Sequence, residues 1–419
     1  MVPDQISKLD LIQARIDVIP SDWQLCKVAE ALNIRNNLRK PISQEVRETI
    51  KGDYPYYGPT KVQGYISEYE QDGTYALIGE DGDHFLKYAT MPQTQYISGK
   101  CTVNNHAHIL ESSEICDAQW FFNYFKHRDI TNFLSRQGAG RFKLNKATLE
   151  KLPMLVPPLP EQRKIAEILS TWDEAITTTE KLIEASKQQK KALMQQLLTG
   201  KKRLVNPETG KAFEGKWEET KLDDILTKIS NGLTYDSKAT HGLPVSRIET
   251  ISTGKVNHAK VGYAPNDEKT MKFKLEFGDI LYSHINSLEH IGRVAYFLDD
   301  KDLYHGMNLL LLRSSRSADS KFIYFMLSSS LGKAFASSHA KSAVNQASIS
   351  TTDLKGFKVK LPSLGEQQKV ASVLTAADKE IEVLEAKLAH FKQEKKALMQ
   401  QLLTGKRRVK VAQEKDLIC

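Results

Sequence analysis

Cysteine is scarce in this chain, and long apolar runs are missing. The four cysteines among 419 residues form no CxxC pair; they are Cys26, Cys101, Cys116 and Cys419. This scatter favours reduced thiols over a disulfide framework or a zinc site. Apolar runs such as Leu309–Leu312 are far shorter than a membrane span, and the opening MVPDQ lacks the pattern of a secretory signal. We therefore expect a cytoplasmic protein that does not enter a membrane.

The chain also lacks the motifs of common catalytic and nucleotide-binding sites. Gln195 and Gln400 stand where a Walker A loop ending in the Gly-Lys pairs at 200–201 and 405–406 would need its first glycine. No Gly-rich dinucleotide loop, HExxH, GxSxG or Asn-Pro-Pro-aromatic motif occurs. We therefore expect a binding protein rather than an enzyme, with no cofactor or metal of its own.

Two histidines are the exception to this lack of site signals. His106 and His108 alternate on a predicted strand at 102–110 and could present two metal ligands. The alternative that we favour is ordinary strand packing for one histidine and a surface position for the other.

The charge of the chain favours a polyanionic partner. Its 59 basic residues outnumber 51 acidic ones, so the formal net charge is +8 and the pI is near 9.0. Residues 187–203 hold six basic residues and no acid, and residues 392–410 hold seven basic residues against Glu394. Such segments either neutralise phosphates and release counterions or are solvated helix ends, and composition leaves both possibilities open.

An internal repeat organises the whole chain. Residues 190–201 and residues 395–406 both read KKALMQQLLTGK, and the Glu-Gln pair at 161–162 recurs at 366–367 with the same offset of 205. Because so long an identity at one offset does not arise by chance, the chain is a duplicated half.

The repeated segments carry the heptad pattern of a coiled coil. Seam positions step by alternating four and three residues over more than four heptads in each segment. The predicted apolar seam consists of Ile165, Leu169, Trp172, Ile176, Ile183, Leu193 and Leu197, and of Val370, Leu374, Ile381, Leu384, Leu388, Leu398 and Leu402. A proline turn precedes each helix, and Gly200 and Gly405 are predicted C-caps. Each predicted helix is roughly 50 Å long at 1.5 Å rise per residue.

Chain order predicts that the two helices are antiparallel. The first helix leads from one globular segment to the other, so a second helix that packs on it must run back. In a parallel pair Lys190 would face Lys395, a clash of like charges. In a blunt-ended antiparallel register Lys190 faces Ala377, and Lys395 lies over Trp172, where a cation–π contact is available.

The globular segments repeat more faintly. Trp23, Lys27 and Leu32 open the first as Trp217, Lys221 and Leu226 open the second. Strands are predicted at 75–78, 102–110, 280–282, 292–298 and 307–313, and helices at 118–135 and 319–338. The predicted fold class is α+β, with two mixed α/β domains separated by two long antiparallel coiled-coil helices in a pseudo-two-fold internal repeat.

The proline turn with its Glu-Gln pair, the heptad helix and the LMQQLLTG ending, all present twice, resemble the specificity subunit of type I restriction–modification enzymes. The resemblance is strongest at 153–203 and 358–408. In the globular segments it rests on LIGEDG, VNNHAHIL, FGDILYS and IGRVAYF, which begin at residues 77, 103, 277 and 291.

The resemblance implies a division of the chain into recognition domains and helices. The predicted segments are target-recognition domain 1 at 1–153, a proline turn and coiled-coil helix at 154–203, a linker at 204–216, target-recognition domain 2 at 217–357, a second turn and helix at 358–408, and a tail at 409–419.

The resemblance also implies a function in a larger complex. Each recognition domain would read one half of a bipartite, asymmetric site in double-stranded DNA, while the helices would set the spacer and dock two modification (methyltransferase) subunits. Restriction subunits would join the full complex, and S-adenosylmethionine, ATP and Mg would act only in the partner subunits. The alternatives are a structural coiled-coil scaffold with protein-binding end domains and a self-contained nuclease or modifying enzyme.

Base readout and phosphate contacts need polar and basic side chains on loops, for which the alternative is loop solvation or, for the tyrosines, core packing. In the first domain the predicted DNA-binding residues are Tyr54, Tyr57, Lys61, Gln137, Arg141 and Lys143. In the second domain they are Arg247, His284, Asn286, Lys341, Asn345 and Gln346.

Overall fold

The computed structural model describes residues 6–137, 141–298, 301–343 and 346–411. The chain divides into two units. Unit 1 contains Met1–Thr179 and Lys387–Cys419, and unit 2 contains Glu180–Ala386. Each long helix therefore contributes one part to each unit. The domain boundaries implied by the resemblance stay predictions.

Unit 1 is built on an extended β-sheet covered by an aromatic helix. Its strands are β1 Gln24–Lys27, β2 Asn33–Ile34, β3 Lys51–Tyr57, β4 Val62–Ile66, β5 Gln71–Gly79, β6 Thr94–Val103, β7 Ala107–Glu111, β8 Ser135–Gln137, β9 Arg141–Lys143 and β10 Pro153–Val156. Its helices are α1 Lys8–Gln13, α2 Val28–Ala31, α3 Gln44–Thr49, α4 Ala118–Phe125 and α5 Lys146–Lys151, followed by the long helix α6 Leu159–Leu197.

The main sheet of unit 1 has the strand order β2-β7-β5-β6-β3-β4, in which only the β3–β6 pair is parallel. Helix α4 supplies the largest buried side chains of the core, among them Trp120 and Phe121, and these pack in one cluster with Ala76 and Ile78 of β5. Burial of such aromatic rings is a large stabilising contribution.

Two elements of unit 1 differ from the sequence prediction, one strand by being divided and one helix by ending early. The single strand expected at 102–110 is the pair β6 and β7, because the side chain of Asn104 accepts a hydrogen bond from the backbone N–H of His106 (2.8 Å) and closes a turn. The helix expected at 118–135 ends at Phe125, where Nε2 of Gln93 donates to the carbonyls of Phe125 (3.3 Å) and Arg128 (2.5 Å).

Unit 2 contains more, shorter strands. They are β11 Glu218–Lys221, β12 Leu226–Asn231, β13 Leu243–Val245, β14 Gly262–Ala264, β15 Ile280–Tyr282, β16 Ile285–Asn286, β17 Val294–Tyr296, β18 Leu310–Ser314, β19 Lys341–Ala343, β20 Gln346–Ser348 and β21 Lys358–Leu361. The helices are α7 Glu268–Met271, α8 Ser320–Ser328, α9 Ser330–His339 and α10 Thr351–Lys355, followed by the long helix α11 Leu364–Leu402. The helix expected at 319–338 is two helices because Ser329, in extended conformation, ends α8 and caps α9 by accepting from the N–H of Leu331.

The two units share a four-stranded scaffold. In chain order its strands are β2, β5, β6 and β7 in unit 1 and β12, β15, β17 and β18 in unit 2. Both sets are hydrogen-bonded in the order first, fourth, second, third, as β2-β7-β5-β6 and as β12-β18-β15-β17. In both units the opening strand also pairs antiparallel with the strand before the long helix, β1 with β10 and β11 with β21. The duplication therefore extends through both globular parts.

Contacts within each unit show that α6 and α11 are antiparallel. In unit 1, Trp172 packs edge-on against Phe391, with ring centroids 5.6 Å apart, and Asp173 pairs with Lys395. Near the start of α6, Glu161 contacts Arg408, which follows α11. Residues further along α6 therefore meet residues that lie earlier in α11, as in an antiparallel pair.

The same order holds in unit 2. There Lys187 pairs with Glu385 (2.9 Å) and Lys190 with Asp378 (2.5 Å). The antiparallel prediction is confirmed within each unit.

The predicted seam follows the buried stripe of both helices. Every predicted apolar seam residue is buried or half-buried, whereas most flanking positions are exposed. The register prediction is correct to within one residue, since Lys190 meets Asp378 rather than Ala377. The predicted cation–π contact is wrong: Lys395 pairs with Asp173, and the ring of Trp172 meets Phe391. The nearby carboxylate offers the buried ammonium a stronger partner than a ring face does.

Candidate nucleic-acid interface

Polar loops of unit 1 are linked by hydrogen bonds at one edge of its sheet. The carbonyl of Tyr57 accepts from the N–H of Asn104 (3.0 Å), and Nδ2 of Asn104 donates to Oε1 of Gln63 (3.1 Å). His106 in the same turn contacts Asp81 at 3.2 Å. The loop after β3 and the β6–β7 turn are therefore held side by side, as a rigid reading surface requires.

Lys143 belongs to this edge but is committed to an ion pair. Its Nζ lies 3.2 Å from Glu80, which also receives a 2.7 Å bond from Arg39. Burial opposes ionisation of Glu80, yet the hydrogen bonds from Arg39 and Lys143 bring the pKa of Glu80 below its ordinary value. Lys143 is therefore engaged by Glu80, and its contact with DNA stays a prediction.

The two histidines of this region have structural partners. Nε2 of the buried His108 bonds the carbonyl of Leu144 (2.7 Å), and its Nδ1 lies 2.8 Å from Nδ2 of Asn36. Both ring nitrogens are thus engaged. His106 lies in the turn before β7 rather than beside His108 on one strand. This geometry fits packing, the reading that the sequence favoured.

The three remaining predicted residues around β3 differ in exposure. Tyr54 packs edge-on against Tyr69 at 5.0 Å, and Tyr57 is half-buried, so that burial raises its pKa. Lys61 is exposed and lines an open cleft together with Lys51 and other polar residues. Sequence reasoning missed those neighbours because only the pairing of β3 with β4 brings them to Lys61.

A short hairpin occurs at equivalent places in both units. Gln137 ends β8 and Arg141 begins β9, and their side chains lie outside the described residues. In unit 2 the equivalent hairpin is β19–β20. It joins β16 in a three-stranded sheet of order β16-β20-β19.

This small sheet brings together residues that the sequence placed apart. Asn286 lies on β16, opposite Ala347 of β20, while Lys341 begins β19 and Gln346 begins β20. Both Lys341 and Gln346 are exposed, and Asn345 lies outside the described residues. Three of the predicted residues of unit 2 therefore share one sheet.

His284 and Arg247 have other surroundings. His284 is buried, and burial lowers its pKa to about 4, so the ring is neutral at physiological pH. Its carbonyl accepts from the N–H of Ile349, which anchors β16 beside β20. Arg247 is half-buried and lies 3.3 Å from Glu249. The DNA-binding roles of His284, Arg247 and the other named residues stay predictions.

Across the residues with described coordinates, no group of three or more His, Cys, Asp or Glu side chains is placed to hold a metal ion. None of the helices in that part of the chain is both long and apolar enough to cross a membrane.

Most of the chain matches the model of a known protein family. The model of the type I restriction modification DNA specificity domain matches twice, at residues 20–187 and 214–393. The putative type I restriction enzyme MjaX specificity subunit of Methanocaldococcus jannaschii is 42% identical over 193 residues, which cover 45% of each protein. The MjaVIII specificity subunit of the same organism is 27% identical over 409 residues, 94% of each.

A solved structure has the same fold. The S subunit of a type I restriction–modification system from M. genitalium superposes with a TM-score of 0.61 at 14% identity, covering 92% of this chain and 97% of that one. At this identity the likeness concerns the fold alone.

Proposed function

Because this chain belongs to the type I restriction–modification DNA specificity family, we propose that it recognises a bipartite, asymmetric DNA target and directs methyltransferase and restriction subunits to it. The observation that carries the proposal is the double match of the specificity domain, on two units with one scaffold and different surface loops. Two readers that differ in their loops recognise two different half-sites, so the target need not be a palindrome.

The charge and the interface residues support DNA as the ligand. The chain carries a net charge of +8. In unit 2, Lys341 and Gln346 stand exposed on the same small sheet as Asn286. Lysine neutralises phosphates, whereas glutamine and asparagine hydrogen-bond base edges in the major groove.

We assign the spacing and docking roles to the two long helices. Each is one uninterrupted helix of 39 residues, about 58 Å at 1.5 Å rise per residue. The segment KKALMQQLLTGK occurs once near the end of each helix. Two copies of one surface would bind two copies of one partner, which supports two modification subunits per chain.

In this proposal the chain itself is not catalytic. Adenine methylation with S-adenosylmethionine and ATP-driven, Mg-dependent cleavage belong to the partner subunits in the cytoplasm, where the DNA lies. The polar groups of the candidate interface support that division. His108 bonds the carbonyl of Leu144, and Glu80 pairs with Arg39 and Lys143. These side chains are thus occupied by contacts within the protein, which does not favour a role in acid–base catalysis or metal binding.

The test is to co-express the chain with its methyltransferase subunits and to map methylated adenines on genomic DNA. We expect two short defined sequences separated by a constant unspecified gap, and loss of this methylation when the chain is omitted. Methylation without a defined sequence would favour the scaffold alternative. Metal-dependent cleavage by the purified chain alone would favour the enzyme alternative.

A further inference from the structure

The two units differ most in the segment between their first and second scaffold strands. In unit 1, residues 35–70 form α3 and the β3–β4 hairpin, which extends the main sheet through the β3–β6 pair. In unit 2, residues 232–279 form the separate β13–β14 sheet and α7. Two readers built on one scaffold distinguish their targets where they differ, so further residues that discriminate bases are expected in these segments, beside the polar residues of the small sheet in unit 2.

The segment of unit 1 contains a polar cleft of about 650 Å³ along α3 and the edge strand β4. Its cationic lining residues are Arg47, Lys51 and Lys61, against one acid, Glu48. The exposed ring of Tyr65 (56% accessible) forms part of the lining. An open cleft with excess positive charge and an exposed aromatic ring suits a nucleic-acid backbone better than an apolar ligand.

Arg47 is fixed as the wall of this cleft. Its Nη1 donates to the carbonyl of Gln63 at 2.7 Å, and its guanidinium lies 4.8 Å from the centre of the Tyr56 ring. These contacts leave Lys51 and Lys61, which are both exposed, as the cations able to reach a ligand.

Two glutamine side chains in the cleft are oriented by their neighbours. Oε1 of Gln63 accepts from Nδ2 of Asn104 (3.1 Å). The Nε2 of Gln63 is therefore left as a donor for a ligand. Nε2 of Gln44 donates to Oε1 of Glu48 (3.1 Å), the acid of the cleft. The Oε1 of Gln44 is therefore left as an acceptor for a ligand. Glutamine amides held in one orientation are suited to hydrogen-bonding the edges of specific bases.

The strand geometry explains how these side chains reach the cleft. The register of β3 with β4 shifts between Lys51 and Tyr54 and again between Pro55 and Tyr57. Such bulges bend a strand and redirect its side chains, and they are frequent next to functional sites.

We propose that this cleft is the surface through which unit 1 reads its half-site, with Lys51 and Lys61 on phosphates and Gln44 and Gln63 on base edges. The inference rests on the proposed function and adds the residues that carry specificity in one half of the target.

The first test replaces the amides in the assembled complex with its methyltransferase subunits. Gln44→Ala and Gln63→Ala are expected to relax base preference about ten-fold at positions of one half-site and to leave the other half-site unchanged. Gln44→Ala is the cleaner variant, because its partner Glu48 is exposed, whereas Gln63→Ala removes the acceptor of the buried Asn104. Copurification of the complex and an unchanged melting temperature establish that each variant is folded.

The second test replaces the cations. Lys51→Ala with Lys61→Ala is expected to weaken binding of cognate and unrelated duplexes alike and to reduce the salt slope by about one per phosphate contact. The matched control is Lys87→Ala, an exposed lysine of unit 1 that does not line the cleft. Lys51→Arg with Lys61→Arg should keep the slope of the wild-type complex.

The outcomes separate this inference from the function on which it rests. If the wild-type complex methylates a bipartite site and the four alanine substitutions leave base preference and salt slope unchanged, the cleft is not the reading surface. A change in both half-sites would overturn the inference as well. If the wild-type complex methylates no bipartite site, the proposed function itself fails.

Discussion

Buried polar residues explain why a Glu-Gln pair begins each long helix. Oε1 of Gln162 accepts from the N–H of Asp117 (2.8 Å), the residue that caps α4. Its Nε2 donates to the carbonyl of Pro157 (2.7 Å) in the proline turn. Gln367 makes the equivalent contacts in unit 2, to Asp319 and to the carbonyl of the preceding turn. Each glutamine thus joins a long helix to its turn and to the cap of a core helix.

The glutamates of these pairs are held by arginines that follow the other long helix. Arg408 bonds both carboxylate oxygens of the buried Glu161 (2.8 and 2.6 Å) and also pairs with Asp22. Hydrogen bonds to Asp22 and Glu161 raise the pKa of Arg408 above its ordinary value. In unit 2, Arg203 holds Glu366 by the same two contacts.

Removal of the arginine should therefore destabilise the chain. Arg408→Ala leaves the buried carboxylate of Glu161 with the indole N–H of Trp23 as its remaining donor (3.0 Å), so we expect the free energy of unfolding to fall by about 2–4 kcal/mol. Urea denaturation measures the loss. The control is Arg407→Ala, an exposed neighbour whose replacement should change stability by less than about 0.5 kcal/mol. Equal effects of the two substitutions would contradict the assignment.

Two buried histidines predict a loss of stability in acid. Burial lowers the pKa of His284 and of His305 from 6.5 to about 4. Between these pH values the unfolded chain binds more protons than the folded chain. The stability that these histidines contribute is present above about pH 6.5 and is lost as the pH falls towards about 4.

Thermal unfolding across this pH window measures the effect, and the slope with pH is the readout. His305→Gln should flatten the slope, because glutamine can keep the donor to the carbonyl of Leu309 without titrating. His241→Gln, at an exposed histidine, is the matched control and should leave the slope unchanged. An identical slope in all three proteins would rule out the histidines as its source.

At the scale of elements, the seams of α6 and α11 each contain one lysine with a carboxylate partner on the other helix. Lys190 pairs with Asp378, and its equivalent Lys395 pairs with Asp173. Lys395 is buried. The pKa of the adjacent Lys126 is lowered by the burial of Lys126 itself and by the positive charge of Lys395. A charged pair in an otherwise apolar seam favours one register over its neighbours at some cost in stability.

A charge swap in unit 2 tests whether the pair specifies the register. Asp378→Lys should lower the melting temperature because it faces Lys190, and adding Lys190→Asp should restore most of the loss, with a coupling of about 1 kcal/mol. The matched pair is Lys187 with Glu385, which lies on the same helices but is about half exposed, so its coupling should be below about 0.5 kcal/mol. Equal coupling energies in the two pairs would mean that the seam position of Lys190 does not strengthen its ion pair with Asp378.

At the scale of the molecule, one duplicated design carries two different surfaces. The four-stranded scaffolds, the proline turns and the long helices repeat, whereas the segments inserted between the first two scaffold strands do not. Duplication preserves the packing of a core while the loops on it diverge, because loops tolerate change that a packed core does not.

The net charge of +8 makes a prediction for the whole molecule. Binding of the assembled complex to duplex DNA should weaken with salt, linearly on logarithmic axes, with a slope of about −0.9 per phosphate contact. Fluorescence anisotropy over a salt series measures the slope. A duplex with an uncharged backbone should give a much shallower line, and affinity independent of salt would contradict phosphate binding.

The duplication, the two long helices, their antiparallel order and the α+β class follow from the order of residues along the chain. These depend on local periodicity and chain order, since a heptad stripe from Ile165 to Leu197 has only one face to bury. Direct repetition of KKALMQQLLTGK made the equivalence of the halves visible without coordinates.

The folded structure reveals which distant residues meet. It showed that Arg203 and Arg408 hold the glutamates of the opposite helix and that β3 joins β6 in parallel. It also ended α4 at Phe125 through the side chain of Gln93. Such partners lie tens to hundreds of residues apart, and a sequence pattern does not specify which polar group satisfies which. Folding selects them because each buried polar group must find a partner within reach.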